Sequence, residues 1–180
     1  MEVAQMKRLG KTLKVATLAA LATLALWGTI SLGAGDGGRT TVYWNANCWI
    51  TLDVHGDVFL GTITGPDQVL EDTEGNIVSL RTNCHNGYVL AVQAVEATTP
   101  PGFEGDILAD FAWKVARVEG NVSGYQGSYV SFPGFHQEMK VGTGEKPGAA
   151  HFHMAYKYTS DEQDIPGDYS ITLEYTATSL

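Results

Sequence analysis

The sequence predicts an all-β chain folded as a sandwich or barrel, and three observations carry that prediction. Apolar residues recur at every second position in nearly every segment, which is the period of a half-buried strand and not of a helix. Turn residues separate these segments at short intervals. The composition agrees: 180 residues hold 21 glycines, eight tyrosines and four tryptophans, with only 17% charged side chains.

Taken in order, the predicted strands cover residues 46–54, 57–64, 77–82, 88–96, 110–118, 127–132, 135–141, 151–158 and 170–177. The last two show the pattern most plainly. Phe152, Met154, Tyr156 and Tyr158 alternate with His151, His153, Ala155 and Lys157, and Ile171, Leu173, Tyr175 and Ala177 alternate with Ser170, Thr172, Glu174 and Thr176. Between the strands lie turn sequences such as Gly65-Pro66-Asp67, Glu74-Gly75-Asn76, Asn86-Gly87, Glu119-Gly120-Asn121, Pro133-Gly134, Lys146-Pro147-Gly148 and Pro166-Gly167-Asp168. Residues 98–105 read as the longest loop, no segment reads as an amphipathic helix, and no internal repeat is visible.

A leader precedes the strands. Lys7, Arg8, Lys11 and Lys14 stand ahead of the apolar run VATLAALATLALW, and small residues follow at 31–35. That order is the signature of a secretory signal peptide over residues 1–35, with a retained membrane-anchor helix as the rival reading. Cleavage would take away four basic groups and one acid, leaving seven basic against 19 acidic residues, a charge of −12. Such a surface stays soluble outside the cell and repels anionic lipid and nucleic acid, so no nucleic-acid partner is expected.

Export makes oxidation the default for the two cysteines, Cys48 and Cys84. An even pair beside strand-like runs reads as one disulfide. Free thiols or metal ligation are the alternatives, although neither cysteine belongs to a CxxC pair.

Residues 36–47 form a glycine-rich linker and a further strand-like segment. In TTVYWNA, residues 40–46, Val42, Trp44 and Ala46 fall on one face. A strand tethered this way can close onto its own sheet, or it can fill a vacant edge on a neighbouring copy, the strand-addition mode of recognition. The sandwich proper then occupies residues 48–180.

The layout resembles the spore coat protein U family and related secreted, pilin-like sandwiches. The residues that carry the likeness are Cys48-Trp49-Ile50, Phe59-Leu60-Gly61, the run IVSLRTNC ending at Cys84, Gly87-Tyr88-Val89-Leu90, and Ile165-Pro166-Gly167-Asp168-Tyr169 ahead of the last strand. The resemblance implies an immunoglobulin-like β-sandwich, a Cys48–Cys84 disulfide, export, and assembly into surface fibres by strand exchange. Residues 103–146 do not follow the family's pattern.

His151 and His153 are the sharpest chemical feature. Positions two apart on a strand point to one side, so both imidazoles could grip Cu²⁺ or Zn²⁺, with His136 or an acid of residues 161–164 as a third ligand. Their strand's opposite face is the apolar one, which leaves them exposed. The acidic stretches 71–76 and 161–168 could hold Ca²⁺ weakly, solvated turns being the plainer reading. Trp44, Trp49 and Trp113 could stack on sugars, and Asn121-Val122-Ser123 is a glycosylation sequon. No nucleophile elbow, HExxH or phosphate-cradling loop is present, so no enzyme activity and no cofactor are expected. The expected function is an exported structural protein that self-associates into a fibre, pilus, coat or biofilm matrix. The alternative is a monomeric extracytoplasmic module binding a metal ion or glycan.

Overall fold

The period-two sequence becomes ten antiparallel strands in the computed structural model, which describes residues 42–180. The leader, residues 1–35, lies outside the described residues. All ten strands belong to the compact unit Asn45–Leu180. They are β1 (Ile50–His55), β2 (Val69–Asp72), β3 (Ile77–Thr82), β4 (Tyr88–Thr98), β5 (Phe111–Gly120), β6 (Gly124–Tyr125), β7 (Val130–Ser131), β8 (Met139–Gly144), β9 (Gly148–Thr159) and β10 (Ser170–Ser179). One helical turn, α1 (Ile107–Asp110), runs directly into β5, and the Asp106 carboxylate caps it by accepting the Leu108 N–H at 3.1 Å.

The strands form two sheets. The first has the order β1-β3-β9-β5-β7, with β2 pairing β9 beyond the end of β3; the second has the order β10-β4-β8-β6. Every pairing is antiparallel. The twelve-residue β9 organises the first sheet, because His153 pairs with Ile77 of β3 while Tyr156 pairs with Asp72 of β2.

Alternation decides what lies between the sheets. Val78, Leu80, Trp113, Val115, Phe152 and Met154 of the first sheet are buried against Tyr88, Leu90, Val92 and Val141 of the second. The Phe152 ring meets Tyr88 edge-on at 6.4 Å, and Phe132 stacks on Phe111 at 6.3 Å. The predicted sandwich is therefore correct in class, and strands 77–82, 88–96, 110–118, 151–158 and 170–177 all form.

Five expectations are corrected. Residues 57–64 alternate like a strand but form none; positive φ at Gly56 (82°) and Gly61 (125°) breaks the extended run. The ladder expected from residue 46 starts only at Ile50, because the Trp49 N–H donates to the Asn83 side chain at 2.7 Å instead. Residues 127–132 shorten to β7, and 135–141 begin pairing only at Met139, since His136 adopts a left-handed φ of 58° and donates its N–H to Ala94 O. The short strands β2 and β6 and the helical turn went unpredicted. Along Val42–Ala46 the chain forms no strand, so the segment expected to alternate faces does not do so there.

Candidate functional site

The sandwich is closed along most of its length and open along one side. Strand β4 buries Tyr88, Leu90 and Ala94 completely, yet its neighbour β10 leaves Ile171, Leu173, Tyr175 and Ala177 only half-buried. Strand β10 is ten residues long and, among the described residues, pairs with β4 alone. Its far side therefore presents a row of backbone donors and acceptors without a ladder.

Beside this edge lies a cleft of about 1260 Å³, walled by the inner stripe of β10, the aromatic end of β9 and the loop that follows β1. The cleft opens to solvent, and the inner side chains of β10 along it are only half-buried. Val54, Leu60, Ile63, Ile171 and Leu173 make its lining largely apolar.

The tyrosine hydroxyls that reach the cleft are already engaged, while the carboxylates of Asp57, Glu162 and Asp168 also line it. Tyr175 OH and Tyr156 OH lie 2.8 Å apart, and Tyr156 OH donates to Asn76 Oδ1 at 2.5 Å. Tyr158 OH donates to Asp164 Oδ1 at 2.6 Å, while Tyr169 OH donates to Ile165 O and accepts its N–H. Burial pushes the Tyr156 hydroxyl up to about 12, and it raises Tyr175 and Tyr158 well above the ordinary phenol value; for Tyr158 the hydrogen bond to Asp164 adds to the effect. Because the folded state holds these protons more tightly than the unfolded chain, stability is constant below about pH 10 and falls as pH rises toward 12. Urea titrations between pH 8 and 12 will show that decline, and Tyr156→Phe will reduce its slope.

The cysteines form the Cys48–Cys84 disulfide, with Cα atoms 4.8 Å apart. It ties the residue two positions ahead of β1 to the turn that follows β3. Asn83 reinforces the tie: its Nδ2 donates to Asn47 O at 2.9 Å, and its Oδ1 accepts the Trp49 N–H. Residue-type reasoning did not single out Asn83, although a turn asparagine beside a cysteine is a recognisable signal for such a clamp.

Of the proposed donor residues, Val42 and Trp44 are 70% and 80% exposed, and Ala46 is exposed as well.

His151 and His153 do share the outer face of β9, but they are half-buried, not exposed as expected. His151 Nδ1 lies 2.9 Å from Ser79 Oγ. The Arg117 guanidinium lies over the His153 ring, with Nη2 at 3.1 Å from Nε2 and 3.4 Å from Nδ1, and Glu119 reaches the same Nε2 at 3.4 Å. A metal ion there would face a fixed positive charge. Among the described residues no group of three metal-ligating side chains converges, so neither His136 nor the acids of residues 161–164 complete a site.

The acidic stretches are spent on local structure. Asp72 accepts the Glu74 N–H, Asp161 accepts that of Gln163, and Asp164 accepts that of Asp161. Trp113 is fully buried and offers no sugar platform, while Trp49 is about half exposed. The Asn121 amide, the nitrogen a glycan would use, donates to Lys146 O. Comparison with protein-family models finds no match, and comparison with curated proteins finds none either.

Proposed function

We propose that the protein is an exported structural subunit of a surface fibre, pilus, coat or biofilm matrix, assembled by strand addition. The tail segment 40–46 of one copy pairs with the free edge of β10 on the next and lays Val42, Trp44 and Ala46 into the cleft. The observation that carries this reading is the juxtaposition of a ten-residue unpaired edge with an unfilled apolar cleft. At about 3.3 Å per residue a seven-residue donor spans roughly 23 Å, well within the length of β10. Natural edges are commonly blunted by lysine, proline or covering elements; β10 (SITLEYTATS) has neither residue, and β1 approaches it without pairing. The disulfide fits an oxidising compartment outside the cytoplasm, and among the described residues no helix is long and apolar enough to cross a membrane. The resemblance to secreted, pilin-like sandwiches points the same way. The role is architectural, with self-association as its partner chemistry and no cofactor.

Electron microscopy and sedimentation of the purified protein test it. The wild type forms polymers, and Val42→Asp/Trp44→Asp stays monomeric with an unchanged circular dichroism spectrum. Polymerisation of that double mutant at the wild-type rate overturns the proposal. A monomeric metal-binding module draws less support, since both histidines are engaged by neighbouring side chains. Equilibrium dialysis against Cu²⁺ and Zn²⁺ will show the same uptake for the wild type and His151→Ala/His153→Ala.

A further inference from the structure

We infer that the loop of residues 56–66 is a resident plug of the acceptor cleft, seated there by its own apolar side chains and displaced when a second copy's strand enters. The inference rests on the strand-addition reading and adds an autoinhibitory step to it.

The loop's sequence is that of a strand without a partner. In DVFLGTIT, Val58, Leu60 and Ile63 are half-buried while Asp57 and Phe59 are exposed, Phe59 by 82%, and all five line the cleft. No ladder accompanies this alternation: among the described residues, residues 56–63 make no hydrogen bond at all. The loop is tied down only at its far end. There Thr64 N–H and Oγ1 donate to Gln68 Oε1, and Ser160 Oγ donates to Gly65 O. At its near end, Gly56 has φ of 82° with open space around it, a ready hinge.

These features set the energetics. A stretch such as residues 56–63, held by three apolar side chains and no hydrogen bonds, sits at the low-stability end of a protein's local unfolding scale. It still shields part of a cleft whose bare apolar wall and free edge would otherwise invite indiscriminate pairing. It leaves about 1260 Å³ unfilled, so it cannot complete the core as an added strand does. A donor supplies both the side chains and the backbone ladder that the loop lacks. Exchange of plug for donor therefore runs downhill, with the loop slowing the first encounter.

The test uses the full-length Val42→Asp/Trp44→Asp chain as acceptor and a labelled synthetic peptide of residues 36–47 as donor. Fluorescence anisotropy reads peptide binding, and methyl NMR of Val58, Leu60 and Ile63 reads the plug. The expected result is that the peptide binds, and that the three methyl signals lose their cross-peaks to the β10 side chains and move to solvent-exposed positions. Leu60→Ser/Ile63→Ser added to the same acceptor should tighten peptide binding on the order of tenfold, since the competing occupant is weakened. Binding with the methyl cross-peaks intact overturns the plug and leaves strand addition standing. Binding no tighter in the Leu60→Ser/Ile63→Ser background likewise overturns the plug. Absence of binding overturns strand addition, and the plug with it.

Discussion

Replacing Cys48 and Cys84 together by alanine will lower the free energy of unfolding by about 4 kcal/mol, the chain-entropy value for a closed loop of this length. The disulfide spans 36 residues and holds β1, an edge strand whose residues are almost all exposed or half-buried, to the end of β3. Besides the β1–β3 ladder, Ile50 and Leu52 contribute part of their surface to the core, and Asn83 supplies a pair of hydrogen bonds. Net stabilities of small domains run to only about 5–15 kcal/mol, so the variant loses a large share. Its melting temperature should fall by roughly 8–16 °C. Urea denaturation of both proteins, with and without reductant, measures the effect. The reductant should move only the wild type, and a loss below about 1 kcal/mol would mean that Asn83 and the β1–β3 ladder hold the edge unaided.

What the sequence made legible divides along a physical line. Strands whose inner residues are buried on a completed core, such as β3 with Val78 and Leu80 or β9 with Phe152 and Met154, show their period directly. Residues 57–64 carry the same alternation and form no strand, because a period says which side turns inward but not whether a neighbour is present to share hydrogen bonds. Strand β2 shows the converse: VLED has little strand character, and it pairs only because β9 runs five residues past Met154 and offers an edge. The site follows the same rule. The tail residues Val42, Trp44 and Ala46 could be picked from the sequence as a donor face. The cleft proposed as acceptor could not, because it is assembled from β10, the loop after β1 and the tyrosines of β9, which are far apart in the chain. His151 and His153 were visible as a pair, but Arg117 lies over His153 only because Ala116 is bulged out of the β5–β9 register, which brings Arg117 opposite His153.

Trp113 belongs to the fully buried core and does not line the cleft. Trp113→Ala will cost about 3–5 kcal/mol, the usual range for emptying a buried aromatic site, because the ring is fully buried and packs on Phe132 at 5.9 Å. Trp113→Phe will cost far less than the removed volume suggests. The indole N–H is buried with no acceptor, and removing an unpaired buried donor recovers part of the lost packing energy. Urea unfolding of both variants measures the difference. At the open side the expectation reverses: Leu173→Ala should be mild in the monomer, where that side chain is only half-buried. In the proposed assembly it should cost substantially more, because the donor strand would cover it. A Leu173→Ala monomer as damaged as Trp113→Ala would mean that the cleft is already part of the core, and that no incoming strand is needed to complete it.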